Sequence, residues 1–399
     1  MRQKKRAAAL LLSAVMAFSA VSPALPAWAA AWQKNASGSY IGSDGSVLTG
    51  ILSRGVDVSQ WQQNINWSAV AADDIQFAMI RARYNNAVDP YFETNVRGAA
   101  AAGLRVGVYL YSYATTTAMA ETDADFILNL IKDYPISYPV VLDVEAQEMN
   151  NLTPAQLSDI INAFCKKVET AGYYPMVYTN DYWISNKIDM TKVHYDVWIA
   201  RYNAKPSYQG AAFWQASNQG TVNGISGNVD INFSFKDLSG KLPANRWRLI
   251  GDKWYYYKNY VKQTGWINDG QSWYYLNQDG TQYKGWLLLN NQYYYLLPTT
   301  GQMKTGWLQA EDAWYYLNSD GTMAKDWIQV DGKYYYLLNG AMVTGWLRID
   351  TDYYYLRGDG SMVTGWRKMD GKYYYFGSNG KLVRGWADID GKRYFLQQD

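Results

Sequence analysis

Residues 140–146 read VVLDVEA, an apolar run that carries two acids, Asp143 and Glu145, two positions apart. Valine-rich runs of this length favour strands, and side chains alternate along a strand. The two acids are therefore predicted to share one face, with the aliphatic residues on the other. Burying two like charges so close together is costly unless one carboxyl keeps its proton, so we expect the two pKa values to differ. A pair of solvated acids at the end of a strand is the plainer alternative.

Strand-like and helix-like segments alternate on both sides of this run, over about residues 54–238. Helical patterns cover residues 89–102, 116–131 and 154–170, and the last opens with a Thr-Pro cap signature. This alternation predicts an α/β fold with a parallel sheet and favours a (β/α) barrel or partial barrel. A flat doubly wound sheet is the alternative, but no glycine-rich phosphate turn follows the first strand. The strand-like segments are RGVDVS (54–59), FAMIRAR (77–83), RVGVYLYSYA (105–114), YPVVLDVE (138–145), YPMVYTN (174–180), DVWIARY (196–202), AAFWQAS (211–217) and VDINFS (229–234).

Two further acids lie in strand-like segments. Asp57 occurs in GVDVSQWQ, at the end of the first segment, and Asp230 occurs in GNVDINFS, on the last. Acids on the first, middle and last strands converge only if the sheet closes on itself, and barrel enzymes keep their sites at the carboxyl ends of the strands. Converging carboxylates suit general acid–base work of the kind that glycosidases use.

The composition excludes several kinds of site. The 399 residues include one histidine, His194, and one cysteine, Cys165, so zinc clusters, cysteine–histidine pairs and serine–histidine–aspartate triads lack their ligands and bases. We therefore expect no metal and no cofactor, and any hydrolytic chemistry must use carboxylates. A net charge of only +2 argues against a nucleic-acid partner.

The first 29 residues have the pattern of a secretory signal peptide: a basic stretch, an apolar run and a small-x-small ending, Ala-Trp-Ala. An uncleaved membrane anchor is the alternative, but the apolar run is short for a span. Residues 30–53 are rich in Gly, Ser and Ala and are predicted to form a flexible linker. We expect a secreted protein with no membrane contact after signal cleavage.

Beyond residue 240, tryptophans recur with a period of about 20 residues, and six of the eight follow a glycine. Each unit has a polar turn, an aromatic triplet such as WYY or YYY and a second turn, which predicts one β-hairpin per repeat. A single hairpin is marginal in water, so about eight repeats over residues 241–399 are predicted to stack into a solenoid. The recurring residues are Trp247, Trp266, Trp286, Trp307, Trp327, Trp346, Trp366 and Trp386.

Residues 54–240 resemble glycoside hydrolase family 25, the Chalaropsis-type lysozymes, through RGVDVSQWQ, MIRAR, AAAAGLRVGVYLYSYA, PVVLDVE, VWIARYN and FWQASNQGTVNGISGNVDINFS in that order. The resemblance implies an irregular, TIM-like (β/α) barrel that hydrolyses the β-1,4 bond between N-acetylmuramic acid and N-acetylglucosamine in peptidoglycan. It also implies that Glu145 is the general acid and that Asp143 supports the transition state, as nucleophile or by positioning the substrate's acetamido group. Asp57 and Asp230 would complete the catalytic site.

Candidate substrate-binding residues of this barrel are aromatic side chains and one arginine near the same strands. Core packing is the alternative interpretation for the aromatic residues, and a structural ion pair is the alternative for the arginine. The candidates are Tyr111, Tyr113, Trp198, Trp214 and Arg81.

Units such as GWLQAEDAWYYLNSDGTMAKDW resemble choline-binding repeats and the related glucan-binding repeats. The resemblance implies cation cages built by the recurring tryptophan, the first aromatic of the triplet and an aromatic of the next repeat. Choline-bearing teichoic acid and wall glycan are the two implied ligands, and core packing is the alternative for these residues. The cage candidates are Trp266 with Trp273, Trp286 with Tyr293, Trp307 with Trp314, Trp327 with Tyr334, Trp346 with Tyr353, and Trp366 with Tyr373.

The sequence as a whole therefore predicts a secreted peptidoglycan hydrolase that is held at the cell wall by its repeats. A non-catalytic wall-binding adhesin with a degenerate barrel is the main alternative. It is disfavoured because a barrel that only binds has no need of four acids in apolar strands. An amidase or peptidase is disfavoured by the lack of metal ligands and of a cysteine–histidine pair.

Overall fold

A closed barrel occupies the first half of the computed structural model, which describes residues 31–85, 87–238 and 240–397. The predicted signal peptide, residues 1–29, lies outside the described residues. Strand β1 pairs with β2 as well as with β9, so eight strands close on themselves and the short β3 lies at one edge. The predicted barrel is therefore confirmed. The strands are β1 (Ser53–Val58), β2 (Phe77–Tyr84), β3 (Ala87–Val88), β4 (Arg105–Tyr111), β5 (Val140–Asp143), β6 (Pro175–Asn180), β7 (Asp196–Ala200), β8 (Ala211–Gly220) and β9 (Val229–Ser234).

Helices cover the outside of the barrel between β1 and β7. The three predicted helices are confirmed, with starts that differ by up to three residues from the prediction. The helix at 154 begins where predicted because Thr153 and Gln156 form a capping box, in which each side chain bonds the other residue's backbone N–H. The helices are α1 (Trp67–Ala72), α2 (Phe92–Ala101), α3 (Thr117–Ile131), α4 (Pro154–Thr170) and α5 (Asp181–Asn186), with 3-10 helices at Gln60–Gln62 and Gln147–Asn151. Among the described residues, none of the helices is both long and apolar enough to cross a bilayer.

Strand β9 runs against its neighbours. The pairs from β1 to β2 and onward to β8 are parallel, whereas β9 is antiparallel to both β8 and β1. In the described chain no helix lies between β7 and β8 or between β8 and β9, and the antiparallel pair β8–β9 needs only a loop. The first residues of β9 therefore lie at the rim formed by the carboxyl ends of the parallel strands. Asp230 is consequently the direct cross-strand partner of Asp57.

Large apolar side chains fill the barrel below that rim. Phe77, Met79, Trp198 and Phe213 are buried together in the interior. Gly107 makes room for them, because a Cβ there would lie 2.5 Å from Sδ of Met79. Burying each such side chain stabilises the fold by about 1.5–3 kcal/mol. The interior is thus a packed core, which leaves only the rim for polar chemistry.

The segment before β1 also packs against the barrel. Trp32 and Tyr40 are buried, with ring centroids 5.8 Å from Trp214 and 5.1 Å from Phe233 respectively. The prediction of a flexible linker over residues 30–53 is therefore wrong for residues 31–53, the part that the structure describes. Its two aromatic rings give this Gly- and Ser-rich segment enough apolar surface to fold onto the outside of the barrel.

Eight β-hairpins follow the barrel within residues 246–396, and the predicted repeat solenoid is confirmed. Each hairpin pairs two strands around a tight polar turn. The strands are β10 (Arg246–Ile250), β11 (Lys253–Lys258), β12 (Val261–Lys262), β13 (Gly265–Asn268), β14 (Trp273–Leu276), β15 (Gly285–Leu289), β16 (Gln292–Leu296), β17 (Gly306–Ala310), β18 (Ala313–Leu317), β19 (Asp326–Val330), β20 (Lys333–Leu338), β21 (Ala341–Met342), β22 (Gly345–Ile349), β23 (Asp352–Leu356), β24 (Gly365–Met369), β25 (Lys372–Phe376), β26 (Gly385–Ile389) and β27 (Lys392–Leu396).

Two contacts join each hairpin to the next. The recurring tryptophan packs between hairpins: Trp307 lies 5.2 Å from Tyr316 of its own hairpin and 4.9 Å from Tyr335 of the next, measured between ring centroids. A backbone hydrogen bond reaches back as well, because the N–H of Met303 donates to the carbonyl of Trp273 in the preceding hairpin at 2.8 Å. These contacts bury apolar surface that a lone hairpin would expose.

Candidate active site

A cavity of about 300 Å³ opens at the rim of the barrel and contains all four predicted acids. Asp57 comes from β1, Asp143 from the end of β5, Glu145 from the loop that follows, and Asp230 from the start of β9. Closure of the sheet brings these distant segments together. The remaining lining residues are Trp61, Arg81, Tyr84, Tyr109, Tyr111, Tyr178, Trp198, Tyr202 and Gln215.

Asp57 lies at the floor of the cavity in a network of amide donors. Gln215 Nε2 and Asn232 Nδ2 both donate to its Oδ2, at 2.9 and 2.7 Å. Trp198 Nε1 in turn donates to Oδ1 of Asn232 at 2.9 Å, and Tyr178 donates to Oε1 of Gln215 at 2.8 Å. Burial raises the pKa of Asp57, while the bonds from Asn232 and Gln215 oppose that rise by stabilising its charged form. The network therefore fixes both the position and the ionisation of this carboxyl.

Asp230 is hydrogen-bonded to Asp57 across the β1–β9 ladder. Burial, followed by the charge of Asp57 and a hydrogen bond with it, raises the pKa of Asp230 to about 9. Asp57 receives two amide N–H donors, and amide N–H groups favour the charged form of a carboxyl. Near neutral pH the proton therefore resides on Asp230, and Asp57 is the charged member of the pair.

Asp143 and Glu145 both face the cavity, but they differ in exposure. Asp143 is buried, and burial, followed by the charges of Glu145 and Asp57, raises its pKa well above the ordinary value. Within the described chain its Oδ1 has no hydrogen-bond partner. Glu145 is half-buried, and burial, then the charge of Asp57, raises its pKa. Strand β5 ends at Asp143, so Glu145 lies on a loop, where its side chain can reach a bound molecule.

Arg81 lines the cavity and also forms a structural ion pair. Its Nε and Nη2 lie 2.9 and 2.8 Å from Oδ2 of Asp89, and both side chains are buried. Asp89 also accepts the backbone N–H of Gln60, which ties the pair to the 3-10 helix after β1. The guanidinium lies over the ring of Tyr84 at 5.0 Å. Arg81 is therefore both a member of a structural ion pair and a residue of the cavity wall.

The four predicted aromatic residues have different fates. Tyr111 lines the cavity. Tyr113 does not line it but packs against Tyr111, with 5.1 Å between ring centroids, and donates from its hydroxyl to Oδ1 of Asn85 at 2.7 Å. Trp198 reaches the cavity floor but is buried in the interior core. The prediction that Trp214 stacks on sugar is wrong, because its ring is buried on the outside of the barrel between β8 and the segment before β1.

Several lining residues were not predicted from the sequence. Trp61 is 72% exposed at the mouth, and Tyr84 and Tyr202 are exposed beside it. Trp61 lies in the quoted GVDVSQWQ segment, only four residues after Asp57, so its proximity to that acid was a usable signal. Gln215, by contrast, looks like any polar strand residue until its bond to Asp57 is seen.

A second and larger cavity, about 630 Å³, lies at the opposite end of the barrel. It is lined by the start of β1, the start of β4 and the end of β9, with Arg105, Lys236 and Asp237 among its charged residues. Within the part of the chain that the structure describes, a single carboxylate lines it, so the paired acids of the rim have no counterpart there. Among the described residues, carboxyls that could act as a pair are therefore a feature of the smaller cavity.

In the solenoid, hollows form between hairpins as the cage prediction requires. Trp266 and Trp273 of one hairpin and Tyr294 of the next line a hollow of about 430 Å³, together with Met303. Trp286 lies 6.3 Å from Tyr293, and Trp307 lies 6.4 Å from Trp314, in edge-on geometry. Several cage candidates are exposed to solvent. They are the first aromatic residues of five triplets, Trp273, Tyr293, Trp314, Tyr334 and Tyr373, and two of the recurring tryptophans, Trp346 and Trp366.

One predicted cage already holds a cation of the protein itself. The guanidinium of Arg384 lies 4.4 Å above the ring of Tyr353, and that of Arg348 lies 5.6 Å from it. Lys368 similarly lies 5.3 Å from the ring of Tyr373. The hollows towards the end of the chain thus differ from the Met-lined hollow at Trp266, because their aromatic faces are covered by basic side chains.

Comparisons with known proteins match both halves of the chain. A model of glycosyl hydrolases family 25 matches residues 56–225. Models of the choline-binding repeat match residues 263–306, 304–344, 343–382 and 363–399, and a model of a putative cell wall binding repeat matches residues 245–259. The family 25 match begins within β1 and includes Asp57, Asp143 and the loop residue Glu145.

Individual proteins also match parts of the chain. Lysozyme M1 of Streptomyces globisporus is 30% identical over 208 residues, which cover 48% of this chain and 70% of that enzyme. The protein YegX of Escherichia coli K12 is 34% identical over 188 residues, 45% of this chain and 68% of YegX. The solved structure of CbpJ from Streptococcus pneumoniae TIGR4 matches with a TM-score of 0.35 and 38% identity over 37% of this chain, and the match spans about half (55%) of CbpJ. The chain thus belongs to glycosyl hydrolases family 25, with choline-binding repeats after its barrel.

Proposed function

We propose that this protein is a muramidase, which hydrolyses the β-1,4 bond between N-acetylmuramic acid and N-acetylglucosamine in peptidoglycan. The observation that carries the proposal is the meeting of four carboxyls in one cavity at the rim of a family 25 barrel. Among the described residues that line this cavity, Arg81 is the one basic side chain, and it is already paired with Asp89. The cavity is therefore suited to stabilise the positive charge that develops on a sugar ring.

Glu145 is the proton donor in this proposal. A general acid must hold its proton near neutral pH and reach the leaving oxygen. Burial raises the pKa of Glu145, and its half-exposed position on the loop after β5 gives it access that buried Asp143 lacks. As the pH rises through this raised pKa the acid loses its proton, so activity is expected to fall on the alkaline side.

The three aspartates stabilise the transition state from the floor. Asp143 lines the cavity, and its Oδ1 has no partner among the described residues, so this oxygen is our candidate acceptor for the N–H of the substrate's 2-acetamido group. Asp57 is held by two amide donors and carries the charge that faces the developing oxocarbenium ion. Asp230 keeps its proton and thereby prevents repulsion between the two facing carboxyls.

Exposed rings at the mouth bind the glycan chain. Trp61, Tyr84 and Tyr202 line the opening, and flat aromatic faces pack against the apolar faces of sugar rings. Tyr111 extends this surface inward towards Glu145. The open mouth suits an enzyme that attacks within a long polymer.

The repeats hold the enzyme at its substrate. Residues 54–240 form the catalytic unit in this proposal, and residues 241–399 bind choline-bearing teichoic acid through the hollows, with wall glycan as the second candidate. The Trp266 hollow offers electron-rich faces and a methionine to a quaternary ammonium, worth about 2 kcal/mol or more once desolvated. Several weak sites on one rod add by avidity. Such a protein acts outside the cell, after removal of the predicted signal peptide.

The deciding experiment is Glu145→Gln with purified cell walls. We expect loss of new reducing ends, with binding to walls unchanged, because the amide cannot donate the catalytic proton. Glu148→Gln, an exposed acid three residues on, is the matched control and should retain activity. Full activity of Glu145→Gln would overturn the proposal, and new amino termini in place of reducing ends would identify a peptidase or amidase.

Anchoring has a separate test on a tertiary-amine resin. Wild-type protein is expected to bind the resin and to elute with free choline, because choline competes for the same aromatic faces. Trp307→Ala should elute at a lower choline concentration yet cleave soluble glycan normally. Elution by glycan fragments but not by choline would instead favour a glycan-binding rod.

A further inference from the structure

The segment before the barrel carries the sequence of a repeat. Residues 40–50 read YIGSDGSVLTG, and residues 355–365 in the solenoid read YLRGDGSMVTG. Six of these eleven positions are identical, including the aspartate and glycine of the turn. A tryptophan precedes each tyrosine: Trp346 lies nine residues before Tyr355, and Trp32 lies eight residues before Tyr40. The match lies outside the ranges of the repeat models, which begin at residue 245.

The two stretches also fold alike. Gly45 and Gly360 have φ angles of +80° and +82° in the turn, and an isolated bridge closes each turn, Ile41 with Val47 and Leu356 with Met362. Three hydrogen bonds recur at matching positions. They are Gly42 N–H to Ser46 O (2.8 Å) and Arg357 N–H to Ser361 O (2.8 Å), Leu48 N–H to Tyr40 O (2.8 Å) and Val363 N–H to Tyr355 O (2.9 Å), and Ser46 N–H to Asp44 Oδ1 (2.9 Å) and Ser361 N–H to Asp359 Oδ1 (3.0 Å).

This N-terminal unit, residues 31–50, covers the part of the barrel that lacks helices. In the solenoid, Trp346 packs against Tyr374 of the next hairpin at 5.2 Å. In the N-terminal unit no hairpin follows, and Trp32 packs instead on Trp214 of β8 at 5.8 Å. Tyr40 packs on Phe233 of β9 at 5.1 Å. The described chain has no helix between β7 and β9, so the N-terminal unit supplies apolar cover that helices provide elsewhere.

The opposite face of the same two strands holds the cavity. Trp214 pairs with Phe233 across the ladder, and the next pair is Gln215 with Asn232. Side chains alternate along a strand, so the first pair faces outward and the second faces the cavity. Both members of the second pair donate to Asp57. The outer rings thus stand one residue away from the two donors that fix a catalytic carboxyl.

The ladder between these strands is irregular beyond Gln215. Its pairing shifts between Gln215 and Ser217 and again between Ser217 and Gly220. Bulges of this kind interrupt the hydrogen bonds that would otherwise align two strands. The outside packing of Trp32 and Tyr40 therefore supports the strands where the regular pairing ends, beside the two donors to Asp57.

We propose that the N-terminal unit is a displaced repeat whose Trp32 and Tyr40 are positioning residues for Asp57, acting through strands β8 and β9. The surface that a repeat would pack against the next hairpin is packed against the barrel in this unit. Two polar contacts fix it in place: the Tyr40 hydroxyl donates to Asp74 at 2.8 Å and Lys34 pairs with Asp74 at 2.9 Å. The proposal rests on the proposed function in that it takes Asp57 as part of the active site.

The test is Trp32→Ala in the purified full chain, measured as release of reducing ends across pH. Displaced strands would loosen the two bonds to Asp57, so kcat is expected to fall about tenfold with KM little changed, as small misplacements in active sites do. Those bonds oppose the rise in the pKa of Asp57, so their loss raises that pKa and moves the acidic limb of the pH profile to higher pH. Trp32→Phe, which keeps a ring, should recover most of the activity and the wild-type profile.

Val47→Ala is the matched control, because Val47 belongs to the same unit but is exposed. It should leave rate and pH profile unchanged. A folded Trp32→Ala protein with wild-type kcat and acidic limb would overturn the proposal. If Trp32→Ala does not fold, Tyr40→Leu is measured in its place and is expected to shift the same limb. A wild-type chain without muramidase activity would refute the proposed function instead; hydrogen exchange of the β8 and β9 amides, expected to accelerate in Trp32→Ala, would then decide the role of the unit.

Discussion

Asp57 and Asp230 meet in the barrel although they come from its first and last strands, whereas Trp266, Trp273 and Tyr294 of the solenoid meet because they are close in sequence. The barrel site exists once and depends on closure of the whole sheet. The hollows recur, and each depends only on neighbouring hairpins. One substitution can therefore abolish the function of the barrel site, whereas each substitution in the solenoid removes only one of several hollows.

The sharpest way to break this comparison is Asp57→Asn. Removing the charge that faces the developing cation is expected to lower kcat/KM by about 10²-fold or more, since preorganised groups of this kind are worth that much. Binding to walls should not change. The measurement is release of reducing ends from purified walls, with Asp312→Asn in an exposed turn of the solenoid as control. A loss of less than tenfold would mean that the barrel tolerates substitution as the solenoid does.

The pH dependence of stability distinguishes the two regions next. The pKa of Asp143 is raised in the folded state, so the native protein binds its proton more tightly than the unfolded chain. The contribution of Asp143 to the free energy of unfolding is therefore complete at pH values below the pKa of the unfolded state. It is lost as the pH rises through the higher pKa of the folded state. We expect the melting temperature of the barrel, measured by calorimetry, to be several degrees higher at pH 5 than at pH 8. Asp143→Asn should flatten this dependence, and an unchanged slope would contradict the assignment of the slope to this acid.

Arg384→Thr sharpens the comparison inside the solenoid. The guanidinium of Arg384 covers Tyr353, and Thr is the residue at the matching positions 305, 344 and 364. Its removal should open one more hollow, so titration with choline is expected to show about one additional bound cation per chain, at about 0.5–2 kcal/mol of cation–π energy. Arg367→Thr, also exposed, is the control. An unchanged stoichiometry would show that Arg384 does not block the hollow.

The smallest effect is expected from Asp326→Gly. Asp326 has a φ angle of +62° at the position where six other repeats have glycine. A residue with a Cβ is strained in this region, so the glycine variant should be more stable by roughly 0.5–1 kcal/mol, less the weak bond from Tyr336 at 3.4 Å. Urea unfolding measures the change, and Gly345→Asp should show the reverse sign. Destabilisation in both variants would mean that the Asp326 side chain has a role of its own.

The sequence predicted the features that follow from local periodicity. Helix α4 begins at its predicted residue because the capping residues lie next to one another in the chain. The repeats were visible because the same tryptophan returns every 20 residues or so. The four acids were found because each interrupts an apolar strand, which is an unusual place for a charge.

Other features depended on contacts that a single sequence does not encode. Trp198 and Trp214 both lie in apolar strands, yet one reaches the cavity floor and the other the outside of the barrel, because alternation fixes the face only once the register is known. The direction of β9 was not predicted either. Its reversal is what places Asp230, a residue near the start of the strand, at the rim. The segment before β1 was missed because its composition resembles that of a linker, although its turn matches residues 359–361.

The hollow at Trp266 draws on three consecutive units, since Ser319 and Asp320 beyond the following hairpin also line it. The hollow at Trp247 does the same, with Thr299 and Thr300 as its distant wall. When each hollow needs three consecutive units, the last two hairpins of a rod cannot start a complete hollow. Such a rod therefore has two fewer complete hollows than hairpins. Duplication of a single unit within such a gene therefore adds one complete binding site. A protease that shortens the chain from its end removes complete sites one after another, and the sites nearest the barrel are lost last.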